Sequence, residues 1–451
     1  MERLVYSEFA NWKEKKDRKP LILRGARQVG KTYLMRAYGK TLFEQVHYYN
    51  FEKQPQLNTI FEQDLDPIRI KTELEIISGT KIQQNKSLII FDEIQQSPKA
   101  LNSLKYFAEE LPEQHICAAG SLLGLVFSED SFPVGMTEYL DMNPMTFEEF
   151  LIALGEKQLN EYVNSTLNLN NNSSGKNINI NLNEIIHNKI WNYLKWYLVT
   201  GGLPEVIKIF IENYKTDLNK AFKLVRKKQK ALILNYYADI AKHCGKINAS
   251  HIESVLSSIP RQLAKNQDDS VSRYKFKDVI KGLNRYNQLS GPIDWLQKAG
   301  LIIKVPIIDN IHVPLSSQVS GSIFKLYLFD VGLLGSLSEL SFEFLLQENF
   351  GTYKGYIAEN FVANQLQSSY CQTLYCWSSN TSEVEFICEK NGKIIPIEVK
   401  SGQITKSKSL KVFLEKYSHV KKAIILSGQP LKIGEARTID YFPLYCVNKV
   451  L

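Results

Sequence analysis

Gly25-Ala26-Arg27-Gln28-Val29-Gly30-Lys31-Thr32 is the stretch on which the fold of this chain turns. It fits G-x-x-x-x-G-K-[ST] at every fixed position, the spacing that wraps backbone N–H groups around phosphates. The flanks agree with it. Pro20-Leu21-Ile22-Leu23 is a short apolar run bounded by charge, as a buried parallel strand requires. From Thr32 to Gly39, Leu34, Ala37 and Tyr38 fall on one helical face. Strand, glycine loop and helix together aim N–H groups and a helix N-terminus at one anionic centre. All eight residues are therefore candidates to hold ATP. Lys31 supplies a mobile cation for the outer phosphates, and the Thr32 hydroxyl is a ligand for Mg²⁺.

A second element follows about 60 residues on. Ser87-Leu88-Ile89-Ile90-Phe91-Asp92-Glu93 is an apolar strand ending in two carboxylates. Adjacent acids at a buried strand end are costly unless a cation or a substrate proton meets them. Asp92 is expected to hold the Mg²⁺ shell and Glu93 to polarise the attacking water as general base. Between the two motifs, Val46 to Phe51 reads as a strand and residues 56–78 as helical. Leu101 to Leu111 is an amphipathic helix, and Ile116 to Ser121 a further buried strand. Ser121 has two readings: a hydrogen bond to the attacking water or γ-phosphate, or the cap of the helix that Leu122 begins.

Composition bounds the rest. The chain has 451 residues, 44% apolar and 23% charged. That is globular, with room for about three domains. No run of 18 apolar residues exists, so no membrane partner is expected. The N-terminus lacks the apolar core of a signal peptide. The six cysteines form no C-x-x-C pair, and buried thiols in a reducing cytoplasm are the simplest reading. A metal site at Cys371 and Cys376 has no second pair or nearby histidine to support it.

Arg27-Gln28-Val29-Gly30-Lys31-Thr32, Asn50-Phe51-Glu52, Asp92-Glu93-Ile94-Gln95, Gly120-Ser121, Pro144 to Phe150 (PMTFEEF) and Gly201-Gly202-Leu203-Pro204-Glu205 together resemble a large group of predicted prokaryotic AAA-superfamily ATPases with a C-terminal domain of unknown function. The resemblance covers nearly the whole chain and implies ATP binding. It places Gly201 to Pro204 in a helical lid and allows an oligomer. One departure stands out. Where such proteins usually have a Gly-Arg pair after the strand that ends here at Ser121, this chain has Val134-Gly135-Met136, and no arginine lies between Arg69 and Arg226. An arginine finger, which accelerates phosphoryl transfer by several orders of magnitude, would have to come from Arg226 or a loop residue such as Arg27.

The middle of the chain is basic. Residues 220–285 hold 11 Lys and 4 Arg against 1 Glu and 4 Asp, while the net charge of the whole chain is only +8. Before it lies an Asn-rich insert, residues 164–184, read as a loop with strand-like alternation at Ile178 to Leu182. Asp217 to His243, Ile252 to Leu263, Phe276 to Leu283 and Asn287 to Ala299 read as helices, the last interrupted at Gly291-Pro292. Leu301 to Val305 with Ile311 to Val313 reads as a hairpin. Helices with a hairpin and surrounding lysines form a winged-helix pattern, which points to DNA. Winged helices also dock proteins.

Beyond it, Lys354 to Leu366 reads as a helix, followed by three strands, a helix at Lys408 to Tyr417 and a strand at Ala423 to Leu426. That order is the core of restriction-endonuclease-like folds, and Glu398-Val399-Lys400 is similar to their E-x-K element. Strand alternation puts Glu398 and Lys400 on one face. With Glu385 and Glu359 they form a candidate nuclease site in which three carboxylates would bind Mg²⁺ and Lys400 would position water. Glu385 stands where this pattern usually has Asp, which sets a nuclease-like binding platform against active cleavage.

The expected architecture is α/β: a P-loop AAA-type parallel-sheet domain (1–155), a helical lid region with its insert (156–245), a winged helix (246–340) and an endonuclease-like domain (341–451). The expected activity is Mg²⁺-dependent ATP hydrolysis with DNA as partner. The rival is a nucleotide-dependent switch or scaffold that docks a protein and cuts nothing. Lacking an arginine over residues 70–225, the isolated protein should turn over ATP more slowly than about 10 s⁻¹, an ordinary enzyme rate. A steady-state phosphate-release assay without partners measures this directly.

Overall fold

Four residues, Leu21–Arg24, form β1, and its first three are buried because parallel strands flank it on both sides. The computed structural model describes residues 1–120, 135–172, 180–265, 272–347, 355–370, 373–379, 382–402, 407–433 and 439–451. The chain forms two units, residues 1–143 with 298–300, and 144–297 with 301–451.

In the first unit α1 (Tyr6–Glu14) precedes β1. After it come α2 (Lys31–Leu42), β2 (Gln45–Asn50), α3 (Asn58–Gln63), α4 (Pro67–Ser78), β3 (Ser87–Asp92), α5 (Pro98–Glu110), β4 (His115–Ala119) and β5 (Glu138–Asp141). The sheet order is β2-β3-β4-β1-β5, and every pairing is parallel. Parallel strands covered on both faces should be continuously apolar, and all six residues of β3 are buried. Phe51, Phe61 and Phe91 interlock in the core with ring centroids 5.6–5.8 Å apart. Residues 56–78, expected as one helix, are two. The Asp66 side chain accepts the N–H groups of Ile68 and Arg69, and Pro67 opens α4, so the chain restarts there. Strand β5 was not anticipated, because only Leu140 of its four residues is buried.

The second unit starts with α6 (Phe147–Ala153), α7 (Lys157–Asn172), β6 (Ile180–Asn181), α8 (Glu184–Thr200) and α9 (Pro204–Asn213). A long helical run, α10 (Leu218–Lys265), follows, then α11 (Tyr286–Lys298) and the strands β7 (Ile302–Ile308) and β8 (Val319–Leu328). It continues through α12 (Val331–Leu337), α13 (Phe342–Leu346), α14 (Gly355–Ser369), β9 (Tyr375–Ser379), β10 (Ser382–Lys390), β11 (Lys393–Val399), α15 (Lys408–Lys416), β12 (Ala423–Ser427), β13 (Lys432–Ile433) and β14 (Ile439–Pro443). Its sheet has nine strands in the order β6-β13-β14-β12-β11-β10-β9-β7-β8.

Several expectations change here. Phe276 to Leu283 is not a helix but a pair of turns, because Asp278 and Gly282 have φ of 64° and 84°. The second hairpin strand is β8, not Ile311 to Val313. The hairpin does not stand free as a wing: β7 pairs parallel with β9, so it belongs to the same sheet as the C-terminal strands. Hence the segments expected as separate beyond residue 155 share one unit. Gly291-Pro292 lies within α11 and does not interrupt it. The Asn-rich insert is helical up to Asn172, and Ile180-Asn181 pairs with β13 at the sheet edge, the pairing its alternation allows. The long run α10 bends at Gly245, whose φ of 69° no helix accommodates.

The Gly201-Gly202 pair is a packing device. Met145 N donates to Gly202 O at 2.7 Å, Tyr197 Oη to Met145 O at 2.5 Å, and Gly202 N to the Asp330 carboxylate at 2.6 Å. A Cβ on Gly202 would stand 2.2 Å from Met145 O. Asp330 also caps α12 by accepting Leu333 N at 2.9 Å. Burial pushes its carboxyl up to about 6, against the N–H groups that favour the anion. Gly202→Ala should therefore destabilise the second unit by about 1–3 kcal/mol, the cost of overpacking, read as a lower urea midpoint.

Candidate functional site

The N-terminal sheet delivers the loop residues to one place. Gly25 has φ of 139°, and a Cβ there would meet Met142 O at 2.1 Å, so the loop must begin with glycine. Gly30, with φ of 99°, turns the chain into α2. The Lys31 ammonium donates to Gly25 O and Ala26 O, both at 2.8 Å. Burial lowers its pKa to about 8, opposed by the charges of Glu93 and Asp92. Thr32 Oγ1 lies 3.0 and 3.2 Å from the two Asp92 oxygens. Those oxygens are hard ligands of the type Mg²⁺ requires, so Thr32 and Asp92 fit that ion at the mouth of the loop. Glu93 sits just past β3 with φ of 53° and ψ of 43°, and Gln95 Nε2 donates to its Oε2 at 2.6 Å. Ser121 lies outside the described residues.

Three further residues complete this site. Tyr48 Oη donates to Asp92 Oδ2 at 2.6 Å and Asn50 Nδ2 to the same oxygen at 3.2 Å. Burial, then the Asp92 bond, pushes the Tyr48 phenol up to about 12. The register places Asn50 opposite Asp92, and the two-residue period puts Tyr48 on the same face. That signal was present in the sequence once the pairing of the two strands was assumed. Arg3 had no such signal. It is 6% exposed, and its guanidinium donates to Val29 O at 2.7 Å and Asn143 O at 2.8 Å. It ties the loop to the segment after β5.

In the second unit the structure brings Glu359, Glu385, Glu398 and Lys400 into one electrostatic cluster. Lys400 Nζ is 2.6 Å from Glu398 Oε1, which agrees with a shared face. Glu385 Oε2 accepts Val399 N at 3.1 Å. Burial, then Glu398 and Glu359, hold the Glu385 carboxyl well above its ordinary range. Burial raises Glu398 too, against Lys400. The cluster also contains Lys325, Tyr327 and Glu383, none of which the sequence singled out. Among the described residues no three His, Cys, Asp or Glu side chains gather as a metal-binding group. Cys371 lies outside the described residues, while Cys376 is a buried free thiol.

Arg226 is held inside the second unit. Its Nη1 donates to Gln229 Oε1 at 2.7 Å and Gly332 O at 3.0 Å, and burial lowers the guanidinium to about 10. Its Nε and Nη2 are buried without a hydrogen bond, so the guanidinium is only partly satisfied inside this unit.

Comparison with known families matches residues 17–151 to an AAA domain. Residues 192–343 and 354–447 match two domains of unknown function, DUF8612 and DUF4143. No curated protein matches the chain. Among solved structures, the Walker-type ATPase of Pyrococcus abyssi is similar at 16% identity and a TM-score of 0.46, over 73% of this chain and 94% of that one. The Aeropyrum pernix ORC1 protein in complex with DNA is similar at 13% identity and a TM-score of 0.32, over 75% and 93%. The Thermotoga maritima RuvB Holliday junction branch migration motor is similar at 14% identity and a TM-score of 0.28, over 67% and 89%. The AAA-domain match and the parallel sheet with its glycine loop give residues 17–151 an AAA-type phosphate-loop fold, and nucleotide binding is the function that fold supports. No described helix is long and apolar enough to cross a membrane.

Two measurements test the loop. Arg3→Ala should raise the Kd for ATP about tenfold, the loss of a buried charge-assisted bond, seen by nucleotide titration. Because Lys31 titrates near 8 without ligand and phosphates favour its charged form, ATP binding should take up protons at pH 8.5 and almost none at pH 7. Calorimetry in buffers of different ionisation enthalpy separates the two.

Proposed function

We propose that the protein is a Mg²⁺-dependent ATP hydrolase that acts in association with DNA. The observation that carries the first half is the convergence of Lys31, Thr32, Asp92 and Glu93 at the carboxyl ends of β1 and β3. Open parallel sheets bind ligands there. Thr32 and Asp92 would hold Mg²⁺, which would supply charge neutralisation for the phosphates. The chain's own groups do the rest. Loop N–H groups orient the phosphates, Lys31 exchanges its carbonyl partners for phosphate oxygens, and Glu93, steadied by Gln95, accepts the proton of the attacking water.

The DNA half is supported by α10. Lys220, Lys223, Lys227 and Lys230 recur at helical spacing and all are exposed, while Phe222, Val225, Gln229 and Leu232 are buried. Like charges one turn apart destabilise a helix, so such a stripe is retained where an anion compensates it. Lys228 is different: it is ion-paired with Glu205. Arg273, Lys275, Lys277, Lys281 and Arg285 are exposed as well. A phosphate backbone is the anion that this array of cations suits.

The alternative is a nucleotide-dependent switch that docks a protein. The interior position of Arg226 favours it, since a slow hydrolase serves as a timer. Two experiments decide. Glu93→Gln should retain ATP binding and lose about 10²–10⁴-fold in turnover, the contribution of a general base. Duplex DNA should shift the wild-type chain in a gel at low salt, and Lys223→Glu with Lys227→Glu should weaken that shift. Binding that is absent at low salt, or indifferent to salt, favours the switch.

A further inference from the structure

Lys325 enters the acidic cluster of the second unit from β8 with only 2% of its side chain exposed. Its ammonium is ion-paired with Glu383 and lies 3.5 Å from Glu359 Oε2. Tyr327, two residues on and so on the same face of β8, donates to that Glu359 oxygen at 2.9 Å. Ser272 adds two bonds to Glu383, from its N at 2.8 Å and its Oγ at 3.1 Å. Glu385 is engaged by the Val399 N–H and Glu398 by Lys400. Each of the four carboxylates therefore has a partner from the protein itself. Among the described residues, Glu398 Oε2 is the one oxygen of the cluster found buried without a hydrogen bond.

Strand order makes this arrangement specific. Lys325 on β8 and Glu383 on β10 meet across the two intervening strands, β7 and β9, and the Tyr327 ring lies tilted against Phe386 of β10 with centroids 5.8 Å apart. The endonuclease-like order expected from Lys354 to Leu426, a helix, three strands, a helix and a strand, contains no counterpart of β8. The lysine is supplied by the hairpin that this chain adds to the sheet.

We infer that Lys325 is the resident counter-ion of this cluster, filling the electrostatic place that a divalent cation holds in a metal-dependent nuclease, so that the cluster takes no divalent cation. Glu383 and Glu359 both contact the ammonium, whose side chain is almost wholly withdrawn from solvent. A divalent ion entering between Glu359 and Glu385 would meet this fixed positive charge in a poorly solvated space, where repulsion is strong. The cluster then serves as an ion-paired scaffold inside the sheet. This inference concerns the second unit alone and stands apart from the ATPase reading.

The test compares unfolding temperatures of the nucleotide-free full chain in EDTA and in millimolar Mn²⁺. In wild type, any Mn²⁺ shift should be unchanged by Glu359→Gln with Glu385→Gln. Lys325→Met should unfold at lower temperature in EDTA, because it leaves buried carboxylates uncompensated. Mn²⁺ should then raise it by about 5 °C, and the two glutamine substitutions should remove that rise. A wild-type Mn²⁺ shift that disappears with Glu385→Gln overturns the inference. So does a folded Lys325→Met chain that does not respond to Mn²⁺. If Lys325→Met fails to fold, the wild-type arm decides alone, since it requires no change at Lys325.

Discussion

The carboxylate of Asp92 ties the N-terminal unit together. It lies at the end of a strand buried along its whole length, and a buried carboxylate must find donors. It draws the Thr32 hydroxyl from the start of α2 and the Tyr48 and Asn50 side chains from β2. The loop, the neighbouring strand and the helix are thus fixed relative to one acid. The same contacts keep Thr32 and Asp92 close enough to share a cation. The site is built as a by-product of satisfying one buried charge.

The second unit disposes of charge differently. Lys325, Asp330 and Arg226 are interior groups, each answered by named partners: Glu383 and Glu359, the Gly202 and Leu333 N–H groups, and Gln229 with the Gly332 carbonyl. Ions removed from water are costly singly and tolerable in pairs. Lys220, Lys223, Lys227 and Lys230 of α10 are the opposite case, exposed along one stripe of the helix. Interior charge here organises the fold, and exterior charge is what a ligand would meet.

The sequence was most legible where local and tertiary demands coincide. Gly25, Gly30, Lys31, Thr32 and Asp92 could be read because spacing alone sets their geometry, and the structure brings them together as read. Glu359, Glu385, Glu398 and Lys400 could be gathered because strand alternation and helix position suffice. Tyr48 and Asn50 needed a pairing register that only the folded sheet provides. Arg3 and Lys325 act through contacts far along the chain, with no periodicity to announce them. Phe276 to Leu283 looked helical by apolar content, yet positive φ at Asp278 and Gly282 overrode it. The first strand of the hairpin was recognisable, but neither its partner β8 nor its pairing with β9 was, since strand partners beyond a turn leave no local mark.

The close approach of Gly25 to Met142 has a consequence for biosynthesis. Met142 N also donates to Arg24 O at 2.8 Å, so the loop is braced by residues that leave the ribosome more than a hundred positions later. At usual elongation rates that is a delay of roughly 6–25 s. Throughout it, the nascent chain holds the glycine loop and its lysine without the strand that gives them their shape. The shape of the glycine loop thus depends on the strand that closes this side of the sheet, and not on its local sequence alone.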